Sequence, residues 1–106
     1  MKDIVKQFFY SWCNGCIKKE MLSDSFNYKS YFNNLTTEEW IDIQHKGDDN
    51  SEAKILKCIT SENEAALLFE FSDNLTDLVY VYSWYIAHSG QRIDSLIEAR
   101  QEAIKK

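Results

Sequence analysis

The second half of the chain constrains the fold most. Residues 52 to 100 hold four consecutive runs rich in β-branched and aromatic residues, among them Leu78-Val79-Tyr80-Val81-Tyr82-Ser83-Trp84-Tyr85-Ile86 and Arg92-Ile93-Asp94-Ser95-Leu96-Ile97, and that composition is the signal of strands. The spacing predicts strands over 52–60, 64–72, 78–88 and 91 to about 100. Asp73-Asn74-Leu75-Thr76-Asp77 and Ser89-Gly90-Gln91 supply turn chemistry for the last two hairpins, so the runs form an antiparallel meander. About 45 residues of helical pattern precede them. The expected class is therefore α+β: N-terminal helices packed on a strongly curved antiparallel sheet, a cone-shaped roll with space between the layers.

Three punctuation points divide the first half. Ile4, Val5, Phe8, Phe9 and Trp12 form one apolar stripe over residues 3–13, which stops at the Asn14-Gly15 pair. A short second helix is expected over 16–22, and an aromatic-rich first strand over 24–32. Thr36 and Glu39 make a capping box for a third helix that runs to about residue 46. The polar stretch 47–51 is a loop, too short to separate domains, and the tail 101–106 either ends the last strand or turns helical. One domain spanning 1–106 follows.

Alternation assigns Tyr80, Tyr82, Trp84, Ile86 and His88 to one face of the third long strand and Val79, Val81, Ser83, Tyr85 and Ala87 to the other. Both faces are apolar. One is expected to line the space beneath the helices. The other is expected to meet a second copy of the chain, giving a homodimer through the sheet, because a monomer seldom leaves so large an apolar patch in water. A one-residue slip in register would exchange Tyr82 for Ser83.

Composition removes several partner classes. Seventeen acidic against twelve basic residues give a net charge of -5 with no basic cluster, which argues against nucleic acid. No apolar run approaches the ~20 residues of a bilayer span, so no membrane partner is expected and a cytoplasmic location is. Three cysteines, an odd number, fit reduced thiols better than a disulfide framework. Cys13-Asn14-Gly15-Cys16 has redox-motif spacing, but Cys13 falls at a helix C-terminus, where the dipole disfavours a thiolate. No second ligand pair for zinc is recognisable. No metal and no cofactor are expected, and the cysteines are read as small apolar groups packed around the turn.

The order of elements resembles the nuclear transport factor 2-like superfamily, especially its SnoaL-like bacterial members. Its carriers are Phe8-Phe9-Tyr10-Ser11-Trp12 before Asn14-Gly15, Leu22-Ser23-Asp24-Ser25-Phe26-Asn27-Tyr28, Leu35-Thr36-Thr37-Glu38-Glu39-Trp40, and Ser89-Gly90-Gln91-Arg92-Ile93. The resemblance implies a cone with a pocket, often dimeric, in a superfamily that hosts isomerases, cyclases, dehydratases and hydrolases beside noncatalytic modules. In the ketosteroid isomerase branch the chemistry uses a carboxylate base and a tyrosine with a neutral aspartic acid as oxyanion donors. Tyr10 matches the tyrosine roughly in position. The base position falls near Lys29 or Ser30 and the second acid near Tyr82 or Ser83, so both carboxylates are replaced.

The expected pocket lining is Tyr10, Tyr28, Trp40, Tyr82 and Trp84, with Asp24 or His88 as the acid or base of any reaction. Each has a plainer alternative. Aromatics at these spacings are commonly core, an Asp before a strand is commonly a turn residue, and His88 by a turn is either at a cavity rim or solvated. His45 is the second group that titrates near neutrality. Glu70 is expected to point away from the face of Leu67, Phe69 and Phe71. Two functions stay open: binding of a small, mostly apolar ligand, with or without isomerase, cyclase or hydrolase chemistry, and a noncatalytic dimeric assembly module whose cone is filled by its own aromatics.

Overall fold

The computed structural model describes residues 1–44, 51–73 and 78–105. Helix α1 (Asp3–Cys13) buries Ile4, Val5, Phe8 and Phe9, the predicted stripe, and Gly15 follows its end at φ 66°. There the left-handed backbone that glycine accepts without strain lets the chain reverse. The expected second helix shrinks to a single 3₁₀ turn at Lys19–Met21. Leu22 is already the first residue of β1 (Leu22–Ser30), because its side chain is buried in the core rather than continuing a helical face. Helix α2 (Thr37–Gln44) starts on the predicted capping box: the Glu39 amide donates to Thr36 Oγ1 at 3.2 Å, and the Thr36 amide donates to Glu39 Oε1 at 3.2 Å. His45 and the 74–77 turn lie outside the described residues.

Four long strands follow, β2 (Ser51–Thr60), β3 (Glu64–Asp73), β4 (Leu78–Ser89) and β5 (Arg92–Lys105), the last continuing past the expected end. They pair antiparallel in sequence order. β1 then joins the far side of β5 in parallel, giving the order β1-β5-β4-β3-β2 in one curved, unclosed sheet. That one parallel pair was not legible beforehand, since hairpin signals reach only strands joined by tight turns. Among the described residues no helix is long and apolar enough to cross a membrane.

The helices cover one face. Phe8, Phe9, Phe69, Trp84, Ile86, Ile93 and Leu96 are all fully buried between the layers. Tyr82 is inward at 7 % exposure and Ser83 is exposed, so the strand register puts the expected face inside. Leu67 and Phe69 are buried while Glu70 alternates to the other side, also as expected.

One irregularity decides what β5 contributes. Ser89 pairs with Arg92 and His88 with Ile93, but Ala87 pairs with Ser95, so Asp94 is an extra residue. This bulge shifts the partners from Ser95 to Glu102 by one and sets Trp84 opposite Glu98 and Tyr82 opposite Arg100. Without it Ile97 and Ala99 would face the helices. With it, a carboxylate and a guanidinium do.

Candidate functional site

The core between helices and sheet has two tiers along β4. Toward His88, Val5, Ile86 and Ile93 are fully buried. Toward Tyr80 the wall is aromatic: Trp12 lies 4.9 Å from Phe71 and 5.3 Å from Tyr82 between ring centroids, and Phe32 lies 6.1 Å from Tyr82. Trp12, Phe32, Phe71 and Tyr80 are only partly buried. Rings at these separations attract one another in tilted and edge-on arrangements.

Between the tiers sits Glu98, 2 % exposed. Its Oε1 accepts a hydrogen bond from the Tyr28 hydroxyl at 2.7 Å and its Oε2 accepts one from Trp84 Nε1 at 2.7 Å. Asn33 Nδ2 donates in turn to the Tyr28 oxygen at 3.3 Å, and the Tyr28 ring stacks on Trp40 at 5.1 Å. Burial raises the Glu98 pKa above the ordinary carboxylate range, against the two hydrogen bonds and the nearby Arg100 charge, which lower it. Burial, and then the Glu98 charge, push the Tyr28 hydroxyl up to about 12. Burial likewise raises Tyr82, opposed by the nearby Arg100 guanidinium. The network ties β1, β4 and β5 together through one acid. Both carboxylate oxygens are occupied within it.

Four of the five expected lining aromatics therefore come together around this network, Tyr28, Trp40 and Trp84 in it or stacked on it and Tyr82 beside it. Tyr10 does not join them. It is 49 % exposed, because on α1 it lies roughly 100° from Phe9 and 200° from Phe8 and so points off the buried stripe. Of the expected acid–base residues, Asp24 is on the exposed side of β1, 3.9 Å from Arg92 in a solvent-facing ion pair. It borders a surface groove of about 290 Å³ between β1 and α2 rather than the core. His88 is not solvated. It is 3 % exposed, its Nε2 has no hydrogen-bond partner among the described residues, and its pKa is lowered by burial and by the Lys2 charge, against Asp94.

Glu98 and Arg100 were missed because simple alternation from the hairpin points them outward. A hairpin with a β-bulge was the signal needed, and Asp94 after Gly90 and Ile93 is at best a faint one. The cysteines divide: Cys13 packs against the core, where burial raises its pKa to about 11, whereas Cys16 and Cys58 are exposed, so the expected apolar packing holds for Cys13 and not for Cys16. Among the described residues no cluster of potential metal ligands occurs.

The opposite face of the sheet carries Ile59, Leu68, Tyr85 and Ile97, each more than a third exposed. They border an apolar groove of about 380 Å³ with Ala66 and Ala99.

No family model and no curated protein matches the sequence. Solved structures do. An NTF2-like protein of Cytophaga hutchinsonii superposes with a TM-score of 0.70 at 17% identity, over 93% of this chain and 88% of that one. A Catenulispora acidiphila protein with a ketosteroid isomerase-like fold gives 0.72 at 12% identity, over 92% and 85%. A candidate SnoaL-like polyketide cyclase from Jannaschia gives 0.69 at 8% identity, over 92% and 82%. Two helices on one face of a curved five-stranded sheet, and these superpositions over nearly its whole length, show that the chain has the nuclear transport factor 2-like fold.

Proposed function

We propose that this domain binds a small, mostly apolar molecule against the half-buried rings at the Tyr80 end of the sheet, and that a second copy covers its outer face. The observation that carries the binding reading is the contrast between the two tiers. At the His88 end Val5, Ile86 and Ile93 are fully buried, whereas at the Tyr80 end Trp12, Phe32, Phe71 and Tyr80 are only partly buried around an inward Tyr82. Exposed aromatic surface with a few polar groups beside it is the common make-up of a small-molecule site. The reading is one of binding rather than of a reaction: the Glu98 carboxylate has both oxygens engaged by Tyr28 and Trp84 and acts as the pin that holds the walls in register. Similar folds carry the names isomerase and cyclase, which is consistent with a domain built to enclose small molecules.

Thermal denaturation with a panel of small flat aromatic compounds tests this. A ligand present at a hundred times its Kd is expected to add about 2.7 kcal/mol of stability and a visible rise in Tm, and Trp12→Ala is expected to remove the rise. If no compound in a broad panel shifts the wild-type midpoint, the noncatalytic assembly module becomes the better reading.

A further inference from the structure

Arg100 is a solvent-exposed residue on the inner face of β5, opposite Tyr82. Its guanidinium carbon lies 4.4 Å from the centroid of the Phe32 ring and 4.6 Å from that of Tyr80, and the group is near enough to the Tyr82 hydroxyl to oppose the rise of its pKa. Two aromatic contacts hold a long side chain that would otherwise sweep through solvent. A guanidinium has five N–H donors in one plane, and stacking on rings leaves them free. Among the described residues it forms no ion pair. Glu98, two residues back on the same face, has its oxygens committed to Tyr28 and Trp84. Glu102, two residues on, is opposite Tyr80 and exposed.

We infer that Arg100 is an anion anchor, and that the molecule seated on the rings beside it is a flat apolar carboxylic acid, bound as its monoanion by the in-plane N–H donors of Arg100. This deepens the binding reading above and rests on it. Planar, paired N–H donors match the two oxygens of a carboxylate, while the neighbouring rings offer stacking surface to the body of the molecule. Charge favours a monoanion over a phosphate dianion. One guanidinium balances one negative charge, and the second would remain uncompensated close to Glu98 in a chain whose net charge is already -5.

The test is calorimetric titration of the full chain with 2-naphthoate, 2-naphthalenemethanol and 2-naphthyl phosphate, repeated with Arg100→Gln and Arg100→Lys. The acid is expected to bind about tenfold more tightly than the alcohol, the margin of a charge-assisted paired hydrogen bond over a neutral one. Arg100→Gln is expected to erase that gap and leave the alcohol within about twofold, and Arg100→Lys to restore part of it, since the charge returns without the planar fork. Thermal melts establish that each variant is folded. Should Arg100→Gln fail to fold, the gap of the wild type measured at about 0.5 M salt replaces it, and a gap that does not narrow overturns the anchor. Equal binding of acid and alcohol by the wild type, persistence of the gap in folded Arg100→Gln, or tighter binding of the phosphate ester than of the acid each overturns the inference while the ring site stands. Binding of none of the three probes removes the ring site itself, and the anchor with it.

Discussion

Glu98 is held by one donor that can turn its role around and one that cannot. The Tyr28 hydroxyl both donates and accepts, whereas Trp84 Nε1 only donates. In Glu98→Gln the amide oxygen can therefore stay on Trp84 while the amide nitrogen donates to the Tyr28 oxygen, and the loss of stability is expected to be about 1 kcal/mol. Glu98→Ala strands both buried donors and is expected to cost about 2–5 kcal/mol, combining the penalties of two unsatisfied groups; urea denaturation separates the two variants. The same acid fixes a pH dependence. Its folded pKa is raised above the ordinary 4.5, so the folded state holds the proton more tightly than the unfolded chain. Its contribution is fully present below 4.5 and is lost as pH rises through the folded value. The stability of wild type relative to Glu98→Gln is expected to decline over that window in urea titrations at successive pH values, and an advantage that grows with pH would contradict the assignment.

Among the elements, those specified by neighbours in sequence were readable and those specified across space were not. The α2 cap is formed by Thr36 and Glu39 alone, and four adjacent residues announce it. Thr36→Ala is expected to cost about 1 kcal/mol, read as a lower denaturation midpoint with an unchanged slope. The stripe of α1 and the division of β4 into two faces were equally local, since a helix or strand repeats its own period, but both faces of β4 are apolar and its own residues leave open which one turns inward. The extra residue at Asp94 depends instead on how β5 settles against β4 and β1, and no repeat within β5 declares it. Glu98 and Arg100 owe their inward direction to that shift, which is why alternation alone did not place them beside Trp84 and Tyr82. Tyr10 failed for the reverse reason: its position in the chain matched a resemblance, while its angle around α1 did not match the buried stripe.

At the scale of the whole molecule, the proposed assembly rests on the outer face of the sheet. Ile59, Leu68, Tyr85 and Ile97 leave apolar surface in water over four neighbouring strands, and their burial by a second copy would remove it. Leu68→Lys combined with Tyr85→Lys is expected to convert a dimer to a folded monomer in sedimentation velocity, with ligand binding on the inner face retained. A wild-type chain that sediments as a monomer at tens of micromolar would sink this part of the proposed function.

The parallel pairing of β1 with β5 carries a consequence for biosynthesis. β5 is made after every other described strand yet occupies an interior place in the sheet, with β1 on one flank and β4 on the other. While the ribosome is still short of residue 92, β1 has no partner and β4 offers an open edge, and such unsatisfied edges are what nascent chains expose to aggregation and to chaperones. The architecture closes late and all at once, when the strand that bears Glu98 and Arg100 slides into the gap.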